Sequence, residues 1–130
     1  MRKIIDTQAA PKAIGPYSQG VITGGLIFTS GQLPLSPHTG LLVKSSLEKQ
    51  TVQCLENIRA ILLHADADMS DVVKTTVYLT DMMSFSVVNE IYNDFFIKNG
   101  ANFFPARTCI EVSKLPLNAL IEIEAVAVAP

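Results

Sequence analysis

An α+β domain is what this sequence predicts. Two amphipathic helical stretches stand among five β-rich segments in the order β-β-α-β-α-β-β. The β-rich segments are short and mostly antiparallel in reading, and no repeat, low-complexity tract or linker divides them. A chain of 130 residues has room for one core, so residues 1–130 form a single domain.

Taken in order, residues 7–20 (TQAAPKAIGPYSQG) are a loop punctuated by Pro11, Gly15 and Pro16. Residues 21–32 read as two strands joined at Gly24-Gly25, a two-residue hairpin signal. A second loop carries Pro34, Pro37 and Gly40. Ser45 with Glu48 makes a capping box, and Leu47, Thr51, Leu55, Ile58, Leu62 and Ala65 then recur at helical spacing. Residues 71–81 are β-branched and read as a strand. Ser84 is the N-cap of a second helix that stops at Asn99-Gly100 and carries the stripe Phe85, Val88, Tyr92, Phe95 and Phe96. Strands near 106–113 and 120–129 flank a loop at KLPLN. Both helices are expected on one sheet face, leaving the other open.

Composition narrows the function. Apolar residues make up 48% of the chain and charged residues only 17%, against about 25% charged in ordinary domains. With one sheet face open, that surplus predicts an oligomer. Net charge is −2 and Lys and Arg are scattered, so no nucleic-acid partner is expected. The N-terminus lacks the apolar stretch of a signal peptide, and no segment reaches membrane-span length. Cys54 and Cys109 are too few for a disulfide framework or metal knuckle. A soluble, cytoplasmic protein is expected, with no membrane partner.

The chemistry-bearing residues gather near the C-terminus. Residues 103–109 and 121–125 are expected to open and close a hairpin that carries the active site, with Arg107 as its anionic anchor. Alternation puts Arg107, Cys109, Glu111 and Ser113 on one side of the first strand, and Glu122, Glu124, Val126 and Val128 on one side of the second. If the strands pair, these polar faces combine. One reading is a solvated face with a cross-strand ion pair. The other is a partly buried Arg107 whose planar fork binds a carboxylate, with a nearby Glu as general base. Cys109 reads as a packing residue and Cys54 likewise. His38 and His64 have no partner pattern, so neither a triad nor a zinc site is expected. No P-loop or dinucleotide fingerprint occurs, and no cofactor is implied. Tyr17 and Ser30 sit among turn formers, and Asn89 lies on the flank of the second helix's stripe.

The blocks AIGPYSQG (13–20), TSGQLP (29–34), VNEIYNDFF (88–96), FPARTCIEV (104–112) and IEIEAVA (121–127) together resemble the RidA family, also called YjgF or L-PSP. The resemblance spans essentially the whole chain. It implies a chorismate-mutase-like fold, a homotrimer with clefts between subunits, and hydrolysis of 2-imino acids such as 2-iminobutanoate and 2-iminopropanoate to 2-keto acids and ammonia. It also implies Arg107 as the carboxylate-binding residue and Glu122 as the water-positioning residue. Tyr17, Ser30, Asn89 and Cys109 match cleft positions, with Gly31 offering backbone contact. The chain departs from the family in LPLNAL, where many relatives carry a lysine after Leu-Pro, and at Ser84, where an acidic or amide residue is frequent. Two other functions attach to the same family: a non-enzymatic binder of small carboxylates or regulatory protein, and a ribonuclease or translation inhibitor. Retention of both Arg107 and Glu122 favours the enzyme over the first. The acidic pI and lack of a basic stripe disfavour the second.

Overall fold

The computed structural model covers residues 1–130. Six strands form one sheet: β1 (Lys3–Ile5), β2 (Gly20–Thr23), β3 (Leu26–Thr29), β4 (Val72–Leu79), β5 (Ala106–Glu111) and β6 (Ile121–Val128). Two helices, α1 (Leu47–His64) and α2 (Phe85–Lys98), pack on one face. The α+β expectation with two helices on one sheet face therefore holds, and β1 is a strand the sequence reading did not include. No helix is long and apolar enough to cross a membrane.

Local chemistry accounts for most of the boundaries. Gly24 and Gly25 both take positive φ (58° and 77°), the backbone a tight two-residue hairpin requires. The N-cap of α1 is Ser46, one residue beyond the expected Ser45. Its hydroxyl accepts from Lys49 N at 3.1 Å, so Glu48 falls in the first turn and the expected capping box does not form. Ser84 occupies the N-cap position of α2, yet its side chain caps nothing. The preceding turn is held by Asp81, which accepts from Met83 N, and by Glu111, which accepts from Met82 N. Asn99 closes α2, its amide donating to Phe95 O at 2.8 Å.

Sheet order departs from expectation at the point that matters most. The strands run β1-β2-β3-β6-β4-β5. β5 and β6 are not a hairpin: β4 lies between them, antiparallel to β6 and parallel to β5. Two physical reasons decide this. The connection from Val112 to Leu120 is longer than a hairpin turn, and α2 makes β4-α2-β5 a crossover, which joins parallel strands. Burial decides which strand is central. Ile121, Ile123, Ala125 and Ala127 on β6 are all buried, whereas β5 is exposed along nearly its whole length and takes the edge.

Register then fixes the faces. Arg107 aligns with Thr75 and Ala125, while Glu122 aligns with Tyr78 and Ile110. Arg107 and Cys109 thus share the helix-covered face, and Glu122 and Glu124 lie on the open one. The expected union of their polar faces does not occur within one chain. The open face also exposes Ile4, Phe28, Ile110 and Val128, the apolar surface expected of a subunit that meets another.

Candidate active site

The chain carries two partial sites. The first lies at the start of β6. Glu122 points away from the helices and packs against the segment after β3, which Gln32 stitches to Ile123 by backbone hydrogen bonds of 2.7 and 3.2 Å. A Cβ at position 31 would stand 2.6 Å from Glu122 Oε2. Glycine is needed there because the carboxylate occupies the space of a side chain. Ser30 is anchored at both ends, its backbone N–H donating to Gln19 O and its hydroxyl to Ser18 O. Tyr17 curls back so that its hydroxyl accepts from Ile14 N at 3.2 Å. These residues, with Leu33 and Pro116, line a cavity of about 280 Å³.

Glu122 is half-buried and makes no hydrogen bond or ion pair. Burial, then the neighbouring Glu124 charge, holds its carboxyl above the usual carboxylate range. Glu124 instead accepts from the Tyr78 hydroxyl at 2.5 Å, and that bond leads the causes pushing Tyr78 up to about 12.

The second partial site lies on β5 and α2. Arg107 Nη1 donates to Asn89 Oδ1 at 2.7 Å. Its guanidinium carbon stands 5.2 Å from the Phe85 ring centroid and 5.1 Å from that of Tyr92. Tyr92 is fixed in turn by a 2.6 Å hydrogen bond between its hydroxyl and that of Thr75. Arg107 is exposed, as in the first of the two readings and not partly buried as in the second, and has no carboxylate partner. The chain's one ion pair joins Arg59 to Asp68. The fork is therefore oriented by an amide and two rings while its charge stays unneutralised, ready for a planar anion.

Cys109 follows two residues on, half-buried, and with Met82, Phe85 and Arg107 lines a cavity of about 510 Å³. Burial raises its pKa, so it is a neutral thiol there. Cys54 is fully buried under β6, in keeping with a packing role. Glu111 is engaged with Met82 N. No three His, Cys, Asp or Glu side chains group as metal ligands.

The sequence-derived residues thus fall into two sets. Tyr17, Ser30, Gly31 and Glu122 gather in one cavity; Arg107 and Cys109 line another, across the sheet, with Asn89 hydrogen-bonded to Arg107. Phe85 and Tyr92 had been assigned to packing alone, and their hold on Arg107 was missed. A signal existed, because Phe85, Asn89 and Tyr92 repeat at i, i+4, i+7 and so share one helix face.

Comparison with known proteins identifies the relatives of this chain. The family model described as endoribonuclease L-PSP matches residues 7–129. A 2-iminobutanoate/2-iminopropanoate deaminase from Salmonella typhimurium is 48% identical over 128 residues, covering 98% of each chain. The crystal structure of E. coli TdcF with bound serine superposes with a TM-score of 0.93 at 44% identity, covering 98% of this chain and 99% of that one. The E. coli YjgF gene product gives 0.92 at 47% identity, covering 97% and 98%. A match across nearly the whole length, in sequence and in fold, settles the family: the chain belongs to the endoribonuclease L-PSP (RidA) family.

Proposed function

We propose that the protein is a hydrolytic deaminase, converting reactive 2-imino acids such as 2-iminobutanoate and 2-iminopropanoate, or their enamine tautomers, to 2-keto acids and ammonia. One observation carries the mechanism. Arg107 lacks a counter-ion, Glu122 lacks any partner, each faces an open cavity, and the sheet keeps them apart within a chain. They meet in a cleft between two copies, in a homotrimer whose three clefts each take Arg107, Asn89 and Cys109 from one subunit and Tyr17, Ser30, Gly31 and Glu122 from the next. The apolar open sheet face supports that assembly. The serine-bound TdcF structure supports a small amino-acid-like ligand. The cytoplasm, where PLP-dependent dehydratases release such imines, is the location that fits this reading.

The chemistry needs few groups. Arg107 holds the substrate carboxylate as a two-point clamp. The protonated imine carbon is already electrophilic, so orientation of one water supplies much of the acceleration. Glu122 takes a proton from that water as its oxygen bonds to the imine carbon. The carbinolamine then collapses: the same carboxyl returns the proton to nitrogen, the C–N bond breaks as the hydroxyl oxygen becomes the carbonyl, and the hydroxyl proton passes to the departing ammonia, leaving the 2-keto acid and ammonium. The Gly31 backbone and the Ser30 and Tyr17 side chains shape the water's side of the cleft. Neutral Cys109 packs beside the substrate and attacks nothing.

The test is a coupled assay with a threonine dehydratase and L-threonine. The protein accelerates release of 2-ketobutanoate, and Arg107→Ala abolishes the acceleration while the oligomer stays intact in sedimentation. An Arg107→Ala protein as active as the parent overturns the site. A keto acid that binds by calorimetry without any imine hydrolysis makes the protein a binder instead.

A further inference from the structure

We propose that Tyr78 and Glu124 are positioning residues for Glu122: the Tyr78 hydroxyl pins the Glu124 carboxylate as a fixed anion beside it, so that Glu122 is the member of the pair that takes and returns the proton. This deepens the reading above and rests on Glu122 being the water-handling group.

The geometry comes from two paired strands. Glu122 and Glu124 are two residues apart on β6 and share the open face. Tyr78 on β4 is the direct cross-strand partner of Glu122, yet its hydroxyl reaches diagonally to Glu124 Oε1 at 2.5 Å. Diagonal neighbours in an antiparallel pair lie within reach of a tyrosine. One carboxylate of the pair therefore has a donor and the other has none. An O–H donor favours the ionised form of the group it bonds, and a like charge nearby disfavours ionisation of the other. Two neighbouring carboxyls, one held by a donor and the other by none, are thereby given different roles.

Within one chain the other groups around Glu122 do not reverse this, and the Arg107 that a neighbouring copy brings to the cleft is common to the parent and the variants compared below. Lys74, further along β4, donates to Thr108 and Thr76 and forms no ion pair with either glutamate. β5 presents neutral Thr108 and Ile110 on this face. Across the cavity stands Tyr17, a phenol. Beneath the sheet, the Cys54 thiol is kept neutral chiefly by burial. The fixed anion next to Glu122 within the chain is thus Glu124, and burial and that charge both raise the Glu122 carboxyl.

Carbon-13 NMR of the glutamate carboxyls, with Glu122 assigned by its loss in Glu122→Gln, reads the titration directly in the assembled protein. The pH profile of imine hydrolysis reads it again, because base action fails as Glu122 is protonated. Glu124→Gln removes the anion, so the Glu122 titration and the acid limb of the profile both move to lower pH. Tyr78→Phe removes one hydroxyl from an otherwise equal side chain. The Glu124 carboxylate is then no longer held in place beside Glu122, and the limb moves the same way by less. Tyr78→Phe adds no shift in the Glu124→Gln background, since it acts through that charge. Unshifted titration and limb in both single variants, or a shift to higher pH in Glu124→Gln, overturn the inference. Full activity in Glu122→Gln overturns instead the reading on which it rests.

Discussion

The two partial sites treat their charges in opposite ways. Arg107 stands on an exposed edge strand, steered by Asn89 and two aromatic rings that carry no net charge. Glu122 stands on a central strand, pressed against Gly31, with no hydrogen bond of its own. One is oriented and solvated, the other confined and partly desolvated. Placed on the same face of paired strands, an arginine and a glutamate form a cross-strand ion pair and neutralise each other. The sheet prevents this by putting them on opposite faces with β4 between. Each keeps its charge available for a ligand, which is why the proposed cleft draws its two halves from two copies.

The sharpest way to break this comparison is to separate its halves by mutation. Arg107→Ala and Glu122→Gln are each expected to lose about 10²–10⁴-fold in imine hydrolysis. Unfolded and reassembled together, the two inactive proteins regain roughly a quarter of parental activity, because mixed trimers rebuild one intact cleft in three. No regain in trimers shown to be mixed means that both residues act within one subunit.

A smaller effect is expected from crowding the confined half. Gly31→Ala drives a methyl group into the Glu122 carboxylate, which stands where the Cβ must go. Displacing a reacting group by about 1 Å can cost about 10²-fold, so kcat falls steeply while KM and Tm change little. Loosening the solvated half acts differently. Asn89→Ala frees Arg107 without removing it, and at this exposed site KM is expected to rise by up to about tenfold with kcat less affected. If Gly31→Ala altered KM alone, or Asn89→Ala kcat alone, the division of labour between the halves would be wrong.

The smallest effect lies outside both halves. Arg59 holds Asp68 below the usual carboxylate range through a two-point hydrogen-bonded pair. A depressed folded-state pKa gives stability that is present above the unfolded value and drains away as pH falls through the folded one. Asp68→Asn should therefore lose up to about 1 kcal/mol at neutral pH, discounted because both side chains are about one-third exposed. In thermal melts the gap from the parent closes toward acid pH, and imine hydrolysis is unchanged throughout.

Much of this was legible in the chain itself. The Gly24-Gly25 turn, the two helix stripes and the small-apolar alternation of 121–127 follow from short-range sterics and periodicity, and the structure contains them with boundaries moved by a residue or two. The site residues were legible one at a time, as unusual polar groups at strand and turn positions. Their grouping was not. Residues 106–113 and 120–129 follow one another in sequence and have matching polar faces, which invites a hairpin. The length of the 112–120 connection and the fully buried character of 121–127 were signals against it.

The sequence by itself determined most of the elements and the family, and it singled out Arg107 and Glu122 as candidates, because each depends on local side-chain pattern or on motif order. Only the tertiary structure decided that β4 runs between β5 and β6. That choice follows from which strand has enough apolar surface to be central, a competition among segments far apart in the chain. Insertion of one strand, and the face each side chain then takes, separated the polar faces that the hairpin reading had joined into two partial sites on opposite faces of the sheet.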